Sequence, residues 1–258
     1  MPQPAYLEIS TTDNERLTGI AISRPGVPGA MITFPLSLIG NPHLDPKPLL
    51  TTIEAFAEKI PDLVKRLSPA GLELEIEEHM KPIATALRAY LQKTRARKQE
   101  VDDNWQKLLL PPKDIEGARL VETRAYLRSL KSIADTTRVM LNDDVAAFAA
   151  LQSPEGIMGM NDPNIRGHVE RLAALASLRR VYAAQPGMTK KPTLDEPLAS
   201  GVDNTLVEKA AKDALAAHEQ WLADIAAASK IIQQTIIFYA VCANIDPKKS
   251  FENIGLDK

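Results

Sequence analysis

Residues 72–91 read LELEIEEHMKPIATALRAYL, and the fold class turns on which period they obey. The opening LELEIEE alternates apolar and acidic side chains, as a half-buried strand does. Yet Leu72, Ile76, Met80, Ile83, Leu87 and Leu91 also recur at spacings of four and three, one stripe of an α-helix. That stripe continues toward Val101, Trp105 and Leu108. Alternation accounts only for the opening run, whereas helical spacing accounts for the whole stretch and beyond. A helix is therefore expected from about residue 70 to 110, bent at Pro82 and stopped by Pro111 and Pro112. At a rise of ~1.5 Å per residue it would be about 60 Å long.

Upstream, Leu49, Ile53, Phe56, Ile60, Val64 and Leu67 form another helical stripe, with Asp45–Pro46 as its start signal. Pro61 inside it removes a backbone donor, so a kink or a division is expected there. Asp62 and Arg66 are spaced for a surface pair. Residues 5–40 behave differently. AYLEIS, RLTGIAIS and AMITFPLSLIG alternate, separated by TTDNE and RPGVPG, which predicts a short antiparallel meander. Pro35 would put its strand at an edge or end it. Three such strands are marginal alone and must pack on helices or on another chain.

Downstream, one helix is expected from Asp114 to about Leu141, with Ile115, Val121, Ala125, Leu130, Ile133 and Met140 as its stripe. NDDVAAFAALQS (142–153) continues it or makes a short helix of its own. PEGIMGMNDPN is a loop, and Asp162–Pro163 starts the next helix, which runs through Val169, Leu172, Leu175 and Val181 to QPG at 185–187. MTKKPTLDEPLASG is rich in proline and charge and reads as a mobile loop or boundary. Ser200 and Asp203 have capping-box spacing. The last helix is expected over 203–243, with Glu208 and Lys212 paired, and the tail DPKKSFENIGLDK is polar. The expected fold is mainly α: an elongated bundle of about five long amphipathic helices with a small N-terminal antiparallel β element. The expected ranges are 1–44 for the β element, 45–185 for the bundle, 186–202 for a linker, and 203–258 for the C-terminal helix and tail.

Composition narrows the chemistry. Hydrophobic residues make up 45% and charged residues 25%, with a net charge of −2, as in an ordinary globular protein without the basic excess of nucleic-acid binders. One cysteine, Cys242, excludes a disulfide framework and a cysteine-based zinc site. MPQPAYLEIS carries no secretory pattern, and no run is continuously apolar enough for a membrane span, so a cytoplasmic location is expected. His43, His79, His168 and His218 form neither His-Glu-x-x-His nor Glu-x-x-His. Phosphate-binding glycine loops and Gly-x-Ser-x-Gly are missing too. No cofactor, metal or catalytic residue is expected. An unrecognised enzyme would be sought first around Glu75 and His79. Asp143 and Asp144 suit a helix cap better than a cation.

Two groups of side chains are candidates for binding. Arg88, Lys93, Arg95, Arg97 and Lys98 form the one basic cluster, although QEVDD follows it at once. KIIQQTIIFYAVCANIDPKK (230–249) carries Ile231, Ile232, Ile236, Phe238 and Tyr239 around most of a helix. At 15 residues between Lys230 and Asp246, its apolar part is too short and too polar to span a bilayer, so it is either core or a subunit interface. The leading expectation is a non-enzymatic helical assembly or interaction protein that binds copies of itself or another protein. The alternatives are a helical protein that is soluble first and then inserts into membranes, as toxins do, and a nucleic-acid-binding accessory protein acting through residues 88–98.

Overall fold

The computed structural model describes residues 7–14 and 17–255. Ala5 and Tyr6 of the first alternating run, Glu15 and Arg16 at the first turn, and the last three residues of the tail lie outside the described residues. The fold is mainly α with a small β element at its N-terminal end. Strands β1 (Glu8–Asp13), β2 (Leu17–Arg24) and β3 (Val27–Pro35) form an antiparallel meander in the order β1-β2-β3. Ile9 faces Ile22, and Ile20 faces Ile32, so alternate residues line one buried face. β3 is an edge strand and ends at Pro35, as the missing donor requires.

Among the described residues there are eight helices: α1 (Lys47–Arg66), α2 (Pro69–Leu109), α3 (Gly117–Ser129), α4 (Ile133–Asn142), α5 (Asp144–Gln152), α6 (Pro163–Ala183), α7 (Asn204–Ala243) and α8 (Pro247–Ile254). α2 is helical throughout, including LELEIEE. Leu72, Ile76, Met80, Ile83 and Leu87 are buried, while Leu74, which only the strand period would have buried, is 70% exposed. Hydrophobic burial along one stripe therefore decided between the two periods. Pro61 and Pro82 both lie inside unbroken helices. The division expected at Pro61 does not occur: Ile60 and Leu63 are buried on either side of it, and their packing carries α1 through the missing hydrogen bond.

The chain forms two compact units, residues 1–99 with 221–258, and residues 100–220. Their boundaries fall within α2 and α7: Leu87 of α2 and Phe238 of α7 are buried in the first unit, Val101 of α2 and Ala211 of α7 in the second. In the first unit, Ile20, Ile32 and Phe34 of the sheet, Ile53 and Ile60 of α1, Met80 and Leu87 of α2, and Phe238 of α7 are buried. Phe56 and Phe238 meet edge to face at 6.2 Å. Gln234 of α7 accepts from the backbone N–H and the hydroxyl of Thr33 at 3.0 and 3.1 Å, satisfying part of the β3 edge. The Tyr90 hydroxyl donates to the Leu44 carbonyl at 3.2 Å, and burial raises its pKa.

The second unit is centred on α5. Every residue from Val145 to Ala150 is buried, so this helix is apolar all round. Its alanines, with Ala173 and Ala176 of α6, keep the packing close. Asp143 caps it, accepting from the Val145 N–H at 2.8 Å, and Asp144 lies 3.7 Å from Arg180. The single helix expected over 114–141 is two. Leu130 is extended, and Ser132 accepts from the Asp135 N–H to start α4. Leu120 and Leu127 of α3 and Met140 of α4 are buried, while Val121 and Ile133 of the expected stripe are exposed. The tail holds a further helix, α8, which the sequence reading left as polar chain. Asp246 caps it through the Lys248 N–H, and Gly255 closes it at φ 72°.

Candidate interaction site

Between α6 and α7 the chain makes an arm. After α6, Gly187 turns at φ 94°, and Met188 accepts from the Asp203 N–H at 2.8 Å. Thr189 and Val202 form an antiparallel bridge, and the Lys190 N–H donates to the Gly201 carbonyl at 2.9 Å. These bonds clamp the two ends of the arm together. Pro192 and Pro197 bring no N–H of their own. The tip is folded on itself: the Thr193 N–H donates to the Glu196 carbonyl, the Glu196 N–H to the Thr193 hydroxyl, and the Ala199 N–H to the Glu196 carbonyl.

This shaped tip leaves its apolar side chains in water. Leu194 is 98% exposed and Leu198 is 91% exposed. Lys190, Lys191, Asp195 and Glu196 are exposed beside them. Val202 and Leu206, at the base, are also exposed. The sequence reading marked the segment as a linker and missed its leucines. The signal was present: they belong to no helical or strand stripe of their own.

A groove lies in the first unit. Its volume is about 750 Å³, and it lies among β1, β2, β3 and the C-terminal half of α1. Ile9, Ile22, Ala30, Ile60 and Val64 are among its apolar lining residues, and Lys65 is at its α1 side. Met31 is 53% exposed.

The residues singled out from sequence fall elsewhere. Ile231, Ile232 and Phe238 are buried within the chain, and Ile236 and Tyr239 are partly buried, so this face packs its own unit. Burial raises the Tyr239 pKa and holds the Cys242 thiol well above its ordinary value. Of the basic cluster, Arg97 is buried with its guanidinium 4.6 Å from the Trp221 ring centroid, whereas Arg88, Lys93, Arg95 and Lys98 are exposed. The structure thus separates Arg97 from the other four.

His79 lies 3.7 Å from Glu75 on the α2 surface, and among the described residues no group of three or more His, Cys, Asp or Glu could hold a metal ion. In the second unit, His218 stacks on Trp105 at 4.4 Å, and burial lowers its pKa against the opposing pull of Glu219 and Asp102.

At the foot of the arm, Arg179 of α6 grips Glu208 of α7 with two hydrogen bonds, and Lys212 reaches the same carboxylate at 3.0 Å. The Arg179 hydrogen bonds, then that of Lys212, pull the Glu208 pKa down to about 2. α7 contains an 18-residue window of mean hydropathy 1.4, long and apolar enough by composition to cross a membrane, yet 50% of it is buried inside the chain. Comparison with protein-family models, with curated proteins and with solved structures gives no match.

Proposed function

We propose that the protein is a non-enzymatic assembly or interaction component, and that the clamped arm is the element that enters its partner. The observation that carries this is the exposure of Leu194 and Leu198 at the tip of an arm whose base is hydrogen-bonded shut. Leaving a leucine in water forgoes about 1.5–3 kcal/mol of burial. A floppy linker could tolerate this by local collapse. Here the stem and the internal turn hold both leucines outward, so the ordering cost of docking is already partly met. The arm is displayed from α6 and α7 of the second unit.

The test uses tagged full-length protein and a Leu194→Ser/Leu198→Ser variant as parallel baits, with native mass measured on each. Burying both leucines contributes about 3 kcal/mol or more, so the variant should bind roughly a hundredfold more weakly. A self-assembly or a bound protein present with the wild type and lost with the variant supports the proposal. A wild type that is monomeric at its highest attainable concentration, and that captures the same species as the variant, contradicts it.

A further inference from the structure

We infer that the outer edge of β1 takes up an extended peptide strand of a partner protein, one that carries an apolar side chain and, four residues away on the same face, a lysine or arginine. This surface receives a segment, whereas the arm inserts one, so the inference goes beyond the arm's role and stands apart from it. Gln234 satisfies part of the β3 edge. β1 is the other edge, and among the described residues its hydrogen bonds run only to β2. The register fixes which of its groups point outward. The Asn14 N–H donates to the Leu17 carbonyl at 3.1 Å, so Asp13 and Thr18 are a non-hydrogen-bonded pair. Alternation along the ladder makes Thr11–Ile20 and Ile9–Ile22 pairs of the same kind. Ile9, Thr11 and Asp13 therefore turn their N–H and C=O groups away from β2, a row that a further strand can join.

The side chains of the same three residues share one sheet face with Ile20 and Ile22, the face toward α1. Two clefts lie between β1 and α1, and Ile9 lines both. One is the groove of about 750 Å³, with Ile22, Ala30, Ile60 and Val64 in its lining. The other, of about 520 Å³, is lined by Thr11, Asp13, Glu54 and Glu58. Ile9 to Asp13 spans ~13 Å of strand, and Glu54 to Val64 spans ~15 Å of helix. The two clefts thus make one trough beside β1, apolar at Ile9 and Val64 and acidic at Asp13 and Glu54.

Charge selects the occupant. Among the described residues Asp13, Glu54 and Glu58 form no ion pair, and they are not grouped closely enough to hold a metal ion. Lys65, the one cation lining either cleft, stands at the apolar end. A strand laid along β1 with a basic side chain opposite Asp13 would meet all three carboxylates. The residue four positions away on the same face would then lie opposite Ile9, over the apolar groove, where Lys65 disfavours a second cation. Main-chain hydrogen bonds to Ile9, Thr11 and Asp13 supply affinity, and the two ends of the trough supply direction and register.

Panning a random-peptide display library on the full-length protein tests this, with Glu54→Lys/Glu58→Lys as the counter-selecting surface. Enriched peptides should hold Lys or Arg four residues from Val, Ile or Leu. A synthetic peptide of that sequence should bind the wild type about tenfold or more tightly than the charge-reversed variant. Glu252→Lys, which lines neither cleft, should bind it as the wild type does. Amide hydrogen exchange by NMR then reads the strand itself, on the wild type and so without regard to how the variant folds. Bound peptide should slow exchange at Ile9, Thr11 and Asp13 about tenfold or more, and at Ser10 and Thr12, already in the ladder, much less. The inference is overturned if no peptide is enriched, if the peptide binds the charge-reversed variant equally well, or if exchange at Ile9, Thr11 and Asp13 does not change.

Discussion

Thr189 bridges Val202 across the base of the arm, so the chain leaves and re-enters the helical body at one place. That single pairing changes what the segment between them is. Without it, the proline- and lysine-rich run would be a connector; with it, the run is a displayed element. If Leu194 and Leu198 serve only docking, replacing both with serine should leave the fold's stability within about 0.5 kcal/mol of wild type, because neither packs on its own chain. Urea unfolding of the wild type and the variant, at a concentration where the wild type is dissociated, checks this.

Phe238 should behave in the opposite way. It is fully buried and meets Phe56 edge to face. Phe238→Ala should cost about 3–5 kcal/mol, a large share of a typical domain's stability, whereas Ile237→Ala on the exposed side of α7 should cost little. Thermal unfolding followed by circular dichroism separates the two. Similar effects from both substitutions would mean that this segment of α7 is not core.

The start of α7 is capped by Asp203, which accepts from the Thr205 and Leu206 N–H groups at 3.0 and 3.2 Å. Asp203→Ala should therefore destabilise by about 1 kcal/mol, and Ser200→Ala should be close to neutral. Equilibrium unfolding of the two variants tests the assignment. A larger effect at Ser200 would restore the capping-box reading of the sequence.

Glu208 links acidity to the foot of the arm. Its folded pKa, about 2, lies below its ordinary value of 4.5. A carboxylate shifted in this direction contributes stability that is fully present above the ordinary value and lost as pH falls through the folded one. The pair is part-exposed, so the contribution is about 1 kcal/mol or less. The stability difference between wild type and Glu208→Gln should be constant above about pH 5 and shrink toward pH 2. A carboxyl titration by NMR with a midpoint near 4.5 would rule this out.

Much of the helical framework was legible because long stripes constrain many side chains at once. The stripe from Leu72 to Leu87 is buried, and the Asp-Pro signals at 45–46 and 162–163 each stand at a helix start. Shorter features were harder to read. The α3–α4 break depends on one extended residue, Leu130, and one serine cap, Ser132, which a continuous apolar count passes over. The same Asp-Pro signal stands at 246–247, but α8 has only two buried residues, Ser250 and Ile254, too few to make a visible stripe.

The candidate site was the least legible part. A stripe announces which residues share a face; an exposed leucine is recognisable only once its neighbours are placed. Ile231, Ile232 and Phe238 drew attention as an apolar run, yet the chain buries them itself. Leu194 and Leu198 lay in a segment that composition marked as a linker. Arg97 looked like one of five surface cations until Trp221 was found beneath it.

The central claim is that the arm drives association, and light scattering across a concentration series tests it most directly. The wild type should show a weight-average mass that rises above the 28.3 kDa of one chain as concentration increases, while Leu194→Ser/Leu198→Ser stays at that value. A wild type and a variant that trace the same curve, and that capture the same species as baits, would contradict the account.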